Sequence, residues 1–100
     1  MQITKVQMEL ALDPLNIIHK ASFTFPKETQ FLGAVPVDKS QLTLFYMAPE
    51  KNFKKTGDCQ GYDFIAVNLN CYSIKIPDEF EFLTMFSWET TTYGVFFRKS

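Results

Sequence analysis

Residues 22–35 read SFTFPKETQFLGAV, two alternating arms on either side of the five residues PKETQ. In the first arm Ala21, Phe23 and Phe25 alternate with Ser22 and Thr24. After the turn, Phe31, Gly33, Val35 and Val37 continue with the same period of two. That period belongs to a strand with one buried face, because successive side chains point to opposite sides of the backbone. The stretch is therefore expected to be a β-hairpin. Pro36 has no N–H to give to a ladder, so the second arm should end there, bulge, or lie at an edge.

The same period runs through the rest of the chain. Val6, Met8, Leu10 and Leu12 alternate with Gln7, Glu9 and Ala11, and Pro14 closes that strand. Leu42, Leu44 and Tyr46 form another set whose opposite face, Phe45 and Met47, is apolar as well, which predicts a central strand covered on both sides. Residues 62–69, 80–88 and 92–98 supply three more, rich in β-branched and aromatic types. In the last but one, Phe80, Phe82, Thr84 and Phe86 alternate in the strand sense, although Asp78 is placed to cap one helical turn. The polar segment 48–61, with Lys51, Lys54 and Lys55, is the main loop. The expectation is one mostly-β domain over residues 1–100, an antiparallel sandwich or small barrel of six to seven strands with at most a short helical turn. Such a fold leaves sheet edges to protect, and self-association through an edge strand would do so; a homo-oligomer is expected.

Composition narrows the classes of function. With 46% hydrophobic residues and eleven phenylalanines in 100 residues, the chain has the apolar surface a single core needs. Its net charge of -1 offers no electrostatic footprint for a nucleic-acid polymer. No apolar run approaches the ~20 residues of a membrane-spanning helix, and the N-terminus MQITKVQMEL alternates in polarity instead of joining a basic end to an apolar stretch. Cys59 and Cys71 have no second pair or histidine cluster to complete a zinc site, and are read as free thiols.

Catalytic constellations are not evident. His19 is the only histidine and has no nucleophile in a recognised context beside it in sequence. Asp78, Glu79 and Glu81 read as a solvated acidic turn, and neither a phosphate-cradling glycine loop nor a metal motif occurs. No enzymatic activity, cofactor or metal is expected. Binding leaves less trace in a β-scaffold. Lys27 and Thr29 in the opening turn, the lysines at 51, 54 and 55, and Arg98 are candidate phosphate contacts; Tyr46, Trp88 and Tyr93 are candidate stacking surfaces. Asn68 and Asn70 can read a nucleobase edge or simply cap a turn.

The segments FTFPKETQFLGAVPVDKSQLTLFYM, YDFIAVNLNCYSIKIPDEFEFLTMF and YGVFF together resemble short phage and prophage proteins grouped as a family of unknown function. That family has a Leu-Pro-Lys turn, an LxLWALV-like strand, a segment ending in TGHPI, and a closing EYIGT to VWHVFE stretch. The likeness covers residues 17–98; Pro26, Lys27 and Glu81–Thr84 match, while Asn68, Leu69 and Asn70 stand where the family carries Thr-Gly-His, and Gly94 and Val95 where it carries Trp-His. Roles tied to those histidines are not carried over. The resemblance implies a phage origin and a small accessory protein of the host cytoplasm. By analogy it implies a sponge, a non-enzymatic oligomer that sequesters a cyclic nucleotide immune signal. Lys27, Thr29 and Arg98 would then hold phosphates, and Tyr46, Trp88, Asn68 and Asn70 would contact bases. The alternatives are an inhibitor that presents an edge strand or aromatic patch to a host or phage enzyme, and a minor virion component.

Overall fold

The computed structural model describes residues 2–15, 18–48, 59–71 and 73–100. Its seven strands are β1 (Gln2–Glu9), β2 (His19–Pro26), β3 (Gln30–Asp38), β4 (Gln41–Ala48), β5 (Cys59–Asn68), β6 (Glu81–Trp88) and β7 (Thr91–Lys99). All pairings are antiparallel, in a three-stranded sheet ordered β1-β4-β3 and a four-stranded sheet ordered β2-β5-β7-β6. The mostly-β sandwich expected from the alternation is the observed architecture, and Asp78 and Glu79 form a turn without any helix among the described residues. Lys51, Lys54 and Lys55 lie outside the described residues.

The core sits between the sheets. Met8, Ala34, Leu42 and Leu44 face it from one side, and Phe25, Phe64, Ala66 and Val95 from the other. Each large side chain fully buried there contributes about 1.5–3 kcal/mol. Leu10 and Leu12 lie past the end of β1, yet keep its alternation and stay buried. Their N–H groups donate to Ser40 and Lys39 carbonyls at 3.1 and 2.7 Å, so the β3–β4 turn extends the sheet to them. β4 is indeed the central strand of its sheet, with Phe45 and Met47 half-buried on the outer face.

The hairpin expected at residues 22–35 is not formed. β2 pairs with β5, β3 pairs with β4, and the turn between them carries the chain from one sheet to the other. Alternation states which face of each arm is apolar but not which strand lies beside it. Two local features decide the outcome. Asp38 accepts hydrogen bonds from the Ser40 N–H (2.8 Å) and hydroxyl (2.9 Å), which folds β3 forward onto β4 through a tight turn. The aromatic rings then meet across the core as well as along one sheet: Phe31 of β3 packs edge-on against Tyr62 and Phe97 at 4.9 and 5.1 Å, and Phe25 of β2 against Tyr46 at 5.0 Å.

Two β-bulges overturn expected side-chain parities. Leu32 is the extra residue between Phe31 and Gly33 in the β3–β4 register, so Ala34 turns inward while Val35 and Val37 are 48% and 45% exposed. A second irregularity follows Pro36, on an edge strand as its missing N–H requires. In β6, Leu83 is the extra residue between Phe82 and Thr84. It sends Leu83, Phe86 and Trp88 to the core and leaves Phe82 outside, packed on Phe96 at 5.6 Å.

β5 is buried on both faces from Tyr62 to Asn68. The connection from β5 to β6 must pass β7, and its Leu69 and Phe80 lie against Gly94 and Arg98 of that strand. A Cβ on Gly94 would come within 3.0 Å of the Leu69 side chain, so the absence of a side chain there admits the crossing. Farther along, the Arg98 guanidinium lies 4.4 Å from the Phe80 ring centroid and donates to the Asp78 carbonyl at 3.3 Å.

Candidate functional site

Among the described residues the sandwich is closed along one side, where β3 and β6 run against each other, and open along the other, where the edges β1 and β2 stand apart. In that opening lies a groove of about 380 Å³. Phe23, Phe25 and Tyr46 supply aromatic walls; Val6 and Pro26 add apolar surface, and Thr4, Thr24 and Gln2 supply hydroxyls and an amide at the rim. The walls follow from local sequence. Alternation points Phe23 and Phe25 inward from β2, and the register Thr4↔Tyr46 brings the tyrosine beside the rim of β1. Apolar walls with a few polar groups are the usual make-up of a small-molecule site.

Three of the seven candidate residues lie in the groove or on the turn that follows it. Tyr46 lines the groove; Lys27 follows the lining residue Pro26, is exposed, and makes no ion pair among the described residues. Thr29 closes the turn by donating its N–H to the Pro26 carbonyl at 3.0 Å, while its Oγ1 is buried without a hydrogen-bond partner among the described residues.

The other four are placed elsewhere. Arg98 is at the same end but on the outer face of the four-stranded sheet, where its Nε donates to Asp63 Oδ2 at 3.4 Å. Asp63 also accepts from the Ser22 hydroxyl at 2.8 Å. The Ser22 hydrogen bond, aided by Arg98, holds the Asp63 carboxyl below its ordinary range although burial opposes this. The cation is thus tied into a cross-strand network with Phe80 and Asp78. Asn68, Asn70 and Trp88 lie at the far end: Pro26 pairs with Cys59, and Asn68 is nine residues farther along β5, roughly 30 Å away at strand rise.

Both asparagines act as turn caps. Asn68 Nδ2 donates to the Pro14 carbonyl at 2.6 Å and its Oδ1 accepts the Asn70 N–H at 2.8 Å. Asn70 Oδ1 accepts the Thr92 N–H at 3.2 Å and its Nδ2 donates to the Thr90 carbonyl at 3.4 Å. Trp88 packs against the core and borders a smaller cleft of about 280 Å³ with Leu12, Pro14 and Tyr93. Within one chain, then, Tyr46 lines the groove, Lys27 and Thr29 lie on the turn that follows its lining residue Pro26, and Asn68, Asn70, Trp88 and Arg98 are not among its walls.

Phe23, Phe25, Thr4 and Val6 were not among the expected site residues. Their alternation is legible in sequence, but the groove exists only because β1 and β2 are edges of different sheets. Elsewhere, His19 opens β2 with its Nε2 3.4 Å from Asp13 Oδ2. Glu79 and Glu81 border an open cleft with Arg98 and Lys99. Cys59 and Cys71 are exposed free thiols. No group of three or more potential metal ligands occurs among the described residues, and no helix there is long and apolar enough to cross a membrane. Comparison of the chain with protein-family models, curated proteins and solved structures returned no match.

Proposed function

We propose that this chain is a phage-encoded, non-enzymatic counter-defence protein of the host cytoplasm that binds and sequesters a cyclic nucleotide immune signal. The observation that carries the reading is the aromatic groove between β1 and β2 with Lys27 on the turn beside it. A nucleobase is a flat ring that stacks on Phe or Tyr, and a phosphate a few ångströms away needs one placed cation. A net charge of -1 does not oppose this, since a dinucleotide requires only a few local donors. In this reading Lys27 holds phosphate and Tyr46 stacks, while Thr29, whose Oγ1 is buried, shapes the turn that presents Lys27, and Arg98, Asn68, Asn70 and Trp88 serve the fold.

The test is a thermal-shift panel of cyclic di- and trinucleotides on the purified protein. A true ligand at a hundredfold over its Kd stabilises by about 2.7 kcal/mol, roughly 10–20 °C in a domain of this size. Mass spectrometry of the heated complex should recover the nucleotide intact. Lys27→Ala should weaken binding about tenfold, or ~1.4 kcal/mol, with the fold unchanged. If no nucleotide moves the melt, the reading is lost; a linearised product would make the protein an enzyme.

One further observation favours a protein partner as the second reading. The outer face of the β1-β4-β3 sheet exposes Ile3 (66%) and Val35, flanked by the bulge residues Leu32 and Val37, with Phe45 and Met47 half-buried between the edges. An apolar sheet face of this kind is suited to an inhibitor acting on an enzyme. Substituting Ile3 and Val35 by Lys should then abolish capture of that enzyme and leave any nucleotide shift intact.

A further inference from the structure

Four strands are edges: β1 and β3 in one sheet, β2 and β6 in the other. An edge is a row of unpaired N–H and C=O groups, and proteins block such rows with bulges, prolines or cover. β3 is interrupted by two register shifts and contains Pro36; β6 is interrupted by one, and these two edges lie against each other. β2 ends in Pro26, and its only formally charged side chain is Lys20. Among the described residues no strand pairs with the outer edge of β1, and its charged side chains are Lys5 and Glu9. It pairs with β4 without a break from Gln2↔Ala48 to Glu9↔Gln41, and it contains neither proline nor bulge.

The free edge is also complementary to itself. In an antiparallel pair, residues directly opposite one another share a face of the sheet. With two copies of β1 centred on Gln7, Lys5 faces the partner's Glu9 and Glu9 faces the partner's Lys5, while Gln7 faces the partner's Gln7. On the inner face Val6 meets the partner's Met8. Lys5, Gln7 and Glu9 are exposed, and neither Lys5 nor Glu9 makes an ion pair among the described residues. Neighbouring registers lose this match. Centring on Val6 sets Glu9 against the partner's Ile3, and centring on Lys5 sets two lysines face to face.

We infer that the protein forms a two-fold dimer through β1, in antiparallel register about Gln7, which joins two three-stranded sheets into one of six. A two-fold contact closes on itself and ends at the dimer. Because Thr4 and Val6 also border the groove, the partner's β1 would run beside it; the interface itself requires no ligand.

Analytical ultracentrifugation of the full chain across a concentration series tests this. The expected result is a dimer of twice the chain mass. Lys5→Glu alone, or Glu9→Lys alone, sets like charges face to face and should raise the dimer Kd at least tenfold. The double exchange should restore it. A second measurement uses a Cys59→Ser, Cys71→Ser background: Gln7→Cys should form an intermolecular disulfide on mild oxidation and Gln2→Cys should not. A monomer at high concentration, an open-ended series of oligomers, single exchanges without effect, or a double exchange without rescue would each overturn the inference. Circular dichroism confirms that the variants keep their strands.

Discussion

At the scale of single residues, Asp63 joins three strands that the chain visits far apart in order. Its carboxylate takes a hydrogen bond from Ser22 of β2 and another from Arg98 of β7, inside a mostly buried site. Its pKa is lowered in the folded chain, chiefly by Ser22. The unfolded carboxyl titrates near ~3.9, so the stabilisation is complete above about pH 5 and disappears as the pH falls through ~3.9 towards the folded value. Asp63→Asn should therefore cost about 1–3 kcal/mol near neutral pH, where a charge-assisted bond is lost. The gap to the parent chain in chemical denaturation should close below pH 4. A gap independent of pH would place the stabilisation outside the carboxylate's charge. Asn68 and Asn70 make a related point from the other direction. Sequence leaves open whether they read a ligand or cap a turn, and in the folded chain their side chains bond to the backbone of Pro14, Thr90 and Thr92.

At the scale of elements, the β6–β7 hairpin turns through Glu89, whose φ is 56°. That left-handed conformation costs a residue with a Cβ about 1 kcal/mol or more. Glu89→Gly relieves it and should raise the melting temperature by a few degrees, read by calorimetry; an unchanged or lower melting temperature would show that the turn stores no strain at Glu89. The elements also show where sequence reading stops. β1 to β4 are legible by their alternation and β5 to β7 by their β-branched and aromatic runs, and the apolar far side of β4 identifies it as central. Leu32 and Leu83 are not legible as bulges. An inserted leucine looks like any other strand residue, yet each shifts the facing of its neighbours by one position, which is why Val35 and Phe82 lie outside when simple alternation places them in the core.

At the scale of the whole molecule, pairing is what sequence conceals. Only β3–β4 and β6–β7 join neighbours in the chain; β1 pairs with β4, β2 with β5 and β5 with β7, matches that alternation alone does not specify. The groove inherits this. Its aromatic walls can be read from alternation, but its mouth is defined by two strands being edges of different sheets. Dilution from denaturant should accordingly give refolding on the millisecond-to-second scale of all-β topologies, measured by stopped-flow Trp88 fluorescence; a microsecond phase carrying the full amplitude would contradict it.

The three crossings between sheets have a further consequence, which belongs to synthesis. β1 has its full partner only once residue 48 has been made, and β2 only once residue 66 has. At ~5–20 residues per second, β1 and the Phe23 and Phe25 arm wait for several seconds outside any fold. During that interval the chain's most aromatic early segment is open to a holdase chaperone or to another nascent copy, and the chance of aggregation is set by translation speed more than by the stability of the finished sandwich.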